Sequence, residues 1–342
     1  MIRAGRRGSV PFAASRLAAS LFAASLLVAA LGGCSAVPAT PSDPDPGGVH
    51  PVVTPRQAVQ ILGTLDATLL RAAAAKDAAQ FDGRVVGPEQ QVLTASYKVL
   101  RTLGKPAVAP PAPSRPRLLL PTAGGWPRWF VAAGASPNTP TPVLRVMWST
   151  NARAPYGLWS QLNLLPGVTL PEVASPTVGA AALGSDVEGL VQTPVAVLMH
   201  YTELLNRGDA SAYRSQFAAD EYRTQLNEQL KSDRAAFSSK AVGVVVAEHT
   251  VSRDPVFALA TMDGGALVIG RVDQKYSVTV AAGKGSVRLD QQLAALAGVQ
   301  TVSKKLDRTA VETLAFYVPR AGSTAPIALL AASKGDVAAT AS

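Results

Sequence analysis

The sequence predicts an α+β protein of two tandem lobes, each running from helices into an antiparallel sheet. Three observations carry this. Apolar residues at helical spacing follow two separate Thr-Pro steps, Thr54-Pro55 and Thr193-Pro194. Short strand-like runs broken by Gly and Pro follow each helical stretch. Helices first and consecutive strands after is the α+β pattern, not the alternation of a parallel α/β sheet.

The 342 residues are ample for two domains of roughly 100–200 residues each. Hydrophobic residues make up 48% and charged residues 16%, so the chain can bury sizeable cores. Its first 33 residues read as an export signal. Arg3, Arg6, Arg7 and Arg16 make a basic start with no acidic residue before position 34. Leu17 to Leu31 is apolar apart from Ser20 and Ser25. That stretch is short of the ~20 residues a membrane span needs, but suits the apolar part of a secretory signal. The residues after Arg6-Arg7 are Gly8-Ser9-Val10, so general secretion is expected rather than twin-arginine export.

Leu31-Gly32-Gly33-Cys34 then resembles a bacterial lipobox. The resemblance implies diacylglyceryl transfer to the Cys34 thiol and signal cleavage between Gly33 and Cys34. Cys34 is the sole cysteine, so no disulfide can form within the chain. The net charge of +9 falls to +5 once the four signal arginines are removed.

Residues 34–53 carry prolines at 38, 41, 44, 46 and 51 and the pair Gly47-Gly48, and read as a tether. The first lobe is expected over 54–190 and the second over 191–335, with 336–342 a flexible tail. In the first lobe, Val59, Leu62, Leu65, Leu69 and Leu70 follow a helical period after the Thr54 cap. Expected strands are 117–120, 129–131, 143–148 and 156–159. Lys105 to Arg117 holds five prolines and reads as an exposed connection. In the second lobe, Val197, Leu198, Tyr201, Leu204 and Leu205 repeat the helical pattern. Expected strands are 242–251, 256–261, 266–272, 276–280, 313–318 and 327–331. Met262-Asp263-Gly264-Gly265 reads as a hairpin turn.

The lobes look like distant copies. Asp77-Ala78-Ala79-Gln80-Phe81 matches Asp209-Ala210-Ser211-Ala212-Tyr213 at an offset of 132, where Val85 matches Phe217 and Glu89 matches Glu221. Leu204-Leu205-Asn206-Arg207-Gly208-Asp209 resembles the helix junction of the nuclear-transport-factor-2-like cone fold. By that resemblance Gly208 closes one helix and Asp209 caps the next. The mature chain also resembles an actinobacterial lipoprotein family of unknown function, through Cys34, the tether, the Thr-Pro helices and Phe316-Tyr317-Val318-Pro319 with Gly322-Ser323. That resemblance implies a lipid anchor and no assigned chemistry.

Motifs of esterases, penicillin-binding enzymes, zinc proteases and P-loop enzymes are absent, and no cofactor or metal is expected. His200 and Glu203 share a helix face but make half a metal site at most. His249 reads as an edge or solvent-face histidine, and His50 falls in the tether. Asp209 reads as a cap rather than a pocket base. Trp126, Trp129, Trp148 and Trp159 read as core, with a ligand groove as the other possibility. Lys231, Arg234, Lys240, Lys304, Lys305 and Arg308 are too scattered, and lack the stacking aromatics, for nucleic acid. The expected protein is an extracytoplasmic lipoprotein anchored at the cell membrane by acyl groups on Cys34. It is expected to act as a non-catalytic binding or envelope-assembly module. A carrier of an apolar ligand or lipid is the second expectation, and a cone-fold enzyme with scattered catalytic residues the third.

Overall fold

Thr54 opens the first helix as its sequence demands. Its hydroxyl accepts the backbone N–H of Gln57, and the Gln57 side chain accepts the N–H of Thr54 at 2.8 Å. Helix α1 (Pro55–Ala75) buries Ala58, Leu62, Leu65, Leu69 and Ala72 along one stripe. Asp77 caps a 3₁₀ turn at Ala78–Phe81, and α2 (Gly87–Thr102) follows. Six strands come next: β1 (Arg117–Leu119), β2 (Pro121–Thr122), β3 (Arg128–Ser136), β4 (Thr139–Ser149), β5 (Gly157–Leu164) and β6 (Ala180–Leu183).

The second half restarts in the same way. Thr193 caps α3 (Pro194–Arg207), which ends at Gly208 with a positive φ of 55°. Two 3₁₀ turns, Gly208–Ala210 and Arg214–Gln216, lead to α4 (Glu221–Ser239). Then come β7 (Gly243–Val251), β8 (Phe257–Ala260), β9 (Ala266–Val280), β10 (Val287–Arg288), α5 (Gln291–Ala297), β11 (Thr301–Val302), β12 (Lys305–Val318) and β13 (Ala328–Ala341). This computed structural model describes residues 49–137, 139–239 and 243–342. Gly33, Cys34, the signal segment and the tether up to residue 48 lie outside the described residues. No helix among the described residues is long and apolar enough to cross a membrane.

The strands of both halves join one 11-stranded sheet, in the order β1-β3-β4-β5-β13-β12-β9-β8-β6-β2, with β7 also on β9. The expected boundary at residue 190 therefore does not separate two sheets. The junction is β5 against β13, with Leu164 opposite Ala331 and Leu165 N–H donating to the Leu330 carbonyl at 2.9 Å. β5 ends the antiparallel run β3-β4-β5, and β13 ends the antiparallel run β9-β12-β13, in which β10, α5 and β11 intervene between β9 and β12. Joining them removes two exposed edges at once. The order also begins and ends on strands that Leu120 alone separates in the chain, β1 and β2. Among the described residues, the pairings between these strands are antiparallel except β2 with β6.

The period-2 alternation of the strands then makes two kinds of core. Leu118, Leu120, Phe130 and Met147 pack with α1. Leu119, Val131, Leu144, Val146 and Trp159 point to the other face and meet Phe257, Leu267, Ile269 and Leu330 of the second half. Trp129 and Trp159 both lie against Phe257, at ring-centroid distances of 5.1 and 4.9 Å. The α3 helix buries Val197, Leu198, Tyr201 and Leu204 on Val268, Leu314 and Phe316. Gly270 permits that approach: a Cβ there would sit 2.2 Å from Leu198 Cδ1.

Several boundaries differ from expectation. Residues 266–280 form one strand rather than two, and 305–318 and 328–341 extend far past the apolar runs. Polar residues within them face a buried layer, so the hydrophobic pattern breaks where the strand does not. Residues 336–341 are the end of β13, paired with β12, and Ser342 bonds to Lys305; they are not a flexible tail. Val52 and Val53 are buried with α1 and so belong to the fold rather than the tether. The short α5 stands where the sequence shows no strand pattern, with Asp290 as its cap and Gly298 at its end.

Candidate functional site

Four adjacent strands place polar side chains in one buried row. His249 on β7 is opposite Gln274 on β9, and Glu312 on β12 is opposite Lys334 on β13. All four face the side covered by α3 and α4. Gln274 Nε2 lies 2.9 Å from His249 Nε2, and Lys334 Nζ donates to Gln274 Oε1 at 2.7 Å. Glu312 is fully buried, 3.5 Å from His249 Nε2 and 3.3 Å from Lys334 Nζ. Asn206 on α3 fixes the far side of His249 by accepting its backbone N–H at 2.7 Å and donating to its carbonyl at 2.8 Å.

The electrostatics follow from this enclosure. Burial pushes the Glu312 carboxyl up, but the His249 ring, the Lys334 ammonium and the Tyr222 hydroxyl together hold it below its ordinary value. Burial lowers Lys334, and Glu312 partly restores it. Tyr201 donates to Asp220 at 3.0 Å and extends the network toward α3. The row separates the apolar cluster under α3 from a second one under α4 and α5. Its adjoining hollow has a volume of about 40 Å³, beneath Leu226, Gln229 and Leu230 of α4. That is room for about one water molecule. A histidine beside a carboxylate is the pairing general base catalysis uses, but the hollow that His249 lines holds only about 40 Å³.

Each residue singled out from sequence can now be located. His249 is buried and faces Glu312, not solvent, because its strand lies under α3 and α4 rather than at an open face. His200 stacks on Tyr213, ring centroids 3.6 Å apart, and its Nδ1 lies 3.0 Å from Gln192 Oε1. Glu203 accepts from Ser211 instead, so the two do not converge on a metal. No metal-binding cluster occurs among the described residues. Asp209 caps nothing: it is 92% exposed and pairs with Arg214 at 2.5 Å. Its counterpart Asp77 is the one that caps. Gly33 and Cys34 are outside the described residues.

Two buried charges in the first half carry no motif. Arg145 is fully buried and spends its guanidinium on Asp66 at 2.5 Å, Gln161 at 2.8 Å and the carbonyls of Pro110 and Pro111. It thereby pins the proline-rich connection to the sheet. Glu89 accepts the N–H of Gln161 at 2.9 Å, and burial pushes its carboxyl up to about 7. The sequence signal for both was a charge at an inward position of a periodic element.

Larger hollows lie elsewhere, among them one of about 650 Å³ between α2 and β13, lined by Gln90, Gln91, Thr94, Lys98 and Arg101. A groove of about 530 Å³ opens at the start of α1, lined by Thr54, Gln57, Gln60, Arg84, Trp126, Arg128 and Tyr156 among others. A second, of about 500 Å³, runs between α2, α5 and β13, past Val92, Val99, Leu100, Leu293 and Leu296 to Arg308 and Lys334. The tryptophans divide accordingly. Trp129, Trp148 and Trp159 are packed in the core, and Trp126 is 39% exposed on the first groove.

No curated protein and no solved structure matches the chain. One family profile does, over residues 49–341, nearly all of the described fold. The chain belongs to the family described as Domain of unknown function (DUF8094).

Proposed function

We propose that the protein is an extracytoplasmic lipoprotein, anchored through diacylglyceryl and acyl groups on Cys34, that serves as a non-catalytic binding module at the outer face of the cytoplasmic membrane. One observation carries the choice of binding over catalysis. The pairing suited to acid–base chemistry, His249 with Glu312, adjoins a hollow of about 40 Å³, whereas the grooves of about 650, 530 and 500 Å³ are lined by no His-carboxylate pair. Ligand sites typically have volumes of about 300–1,000 Å³. The anchor reading rests on Leu31-Gly32-Gly33-Cys34 behind a basic, apolar leader. The matching helix starts and the two antiparallel runs joined through β5 and β13 support descent from a duplicated helix-then-sheet unit of the cone-fold kind.

A lipid or apolar-ligand carrier is the second reading, favoured by the apolar walls of the groove between α2 and α5. Radioactive palmitate labelling tests the anchor: wild type should label and Cys34→Ala should not, and equal labelling would refute it. Native mass spectrometry of the purified protein tests the second reading, since a carrier should retain an acyl lipid. A pull-down from crosslinked envelopes then separates a protein partner from a small ligand.

A further inference from the structure

We propose that the groove at the start of α1 binds a saccharide bearing a carboxylate or phosphate group. This deepens the binding reading by naming a site and a ligand class, and it does not depend on the fate of Cys34. Trp126 presents its indole at the groove, with the Tyr156 ring 6.4 Å away at a tilt of 45°. Flat apolar faces of this kind accept the C–H faces of a sugar ring by close contact. The uncharged polar lining is Thr54, Gln57, Gln60 and Thr64, amides and hydroxyls that donate and accept as sugar hydroxyls require.

The charge of the groove is one-sided. Arg84 and Arg128 line it and no Asp or Glu does. Neither arginine forms an ion pair among the described residues, unlike Arg145, Arg223 and Arg271. Carbonyl acceptors hold Arg128 in place, those of Gly125 at 3.2 Å and Val52 at 3.3 Å, with its guanidinium 4.8 Å above the Trp126 ring. A fixed guanidinium with unneutralised charge suits a carboxylate or phosphate through paired N–H donors. The Tyr156 hydroxyl is enclosed there without a partner, and a ligand hydroxyl reaching it would end that cost. The Arg128 charge beside it opposes the burial that pushes this phenol up to about 12.

Calorimetric titration of the mature chain, residues 34–342, tests the site. The probes are a glucuronic-acid disaccharide, glucose 1-phosphate, maltose, inorganic phosphate and UMP. At least one of the first two should bind, and the last three should be at least about ten-fold weaker. Trp126→Ala and Arg84→Gln should each weaken that binding about ten-fold or more without lowering the melting temperature. Arg84 makes no side-chain hydrogen bond among those described, so its variant keeps the test valid if Trp126→Ala proves unstable. Uronate against phosphate binding tells which anion is read. The proposal is overturned if neither anionic sugar binds, if maltose, phosphate or UMP binds as tightly, or if both folded variants bind like wild type.

Discussion

The buried carboxylate of Glu89 accepts the backbone N–H of Gln161 at 2.9 Å, tying α2 to β5. Burial raises this carboxyl from 4.5 to about 7, against the pull of the Gln161 N–H and the Arg145 charge. The folded state therefore holds the proton more tightly than the unfolded chain. Stability is greatest below the unfolded value and falls as pH rises toward about 7, where the penalty is complete. The span corresponds to roughly 3 kcal/mol. Chemical denaturation between pH 5 and 8 should show this fall in wild type and a flatter profile in Glu89→Gln.

Glu312 and Lys334 compensate each other in the buried row, 3.3 Å apart. Removing only one leaves a charge without its partner, at a cost of about 3–5 kcal/mol. Glu312→Ala should lose stability of that order. The double variant Glu312→Leu with Lys334→Met should recover most of it, as read from urea midpoints. A double variant no better than the single would contradict this account of the row.

Arg145 holds the proline-rich connection through two proline carbonyls as well as Asp66. Lysine keeps the charge but lacks the planar fork, so Arg145→Lys should free residues 105–117. Elastase should then cut after Val108, which is exposed and followed by Ala109, at least about ten-fold faster than in wild type, by mass spectrometry of the fragments. Unchanged cutting would mean that the prolines alone keep the segment in place.

Gly270 lies under α3, where an added methyl would meet Leu198 at 2.2 Å. Leu198 is itself buried and has little room to turn. Gly270→Ala should cost about 1–3 kcal/mol by overpacking, measurable in thermal unfolding. Pairing it with Leu198→Ala should remove much of that cost, because the clash is specific to this contact.

Local chemistry made both helix starts legible. A threonine cap followed by proline specifies a first turn whatever lies around it, and Thr54 and Thr193 both open helices. The same holds for Met262 to Gly265, where Gly264 adopts a φ of 82° between β8 and β9. The 132-residue offset also has structural meaning: Val85 and Phe217 each form a parallel bridge, to Leu158 and Ile327. The candidate sites were less legible. Gln274, Glu312 and Lys334 read as breaks in strand pattern because burial of a polar side chain depends on partners from other strands.

By itself, then, the sequence determined where the two Thr-Pro helices begin and where a hairpin turns. These depend on capping and backbone preferences acting within a few residues. Tertiary structure alone decided that the halves share one sheet through β5 and β13, that His249 faces Glu312, and that Trp126 rather than Trp159 meets solvent. Those outcomes rest on contacts between segments far apart in the chain. The free energy of such contacts comes from mutual burial, which no local pattern encodes.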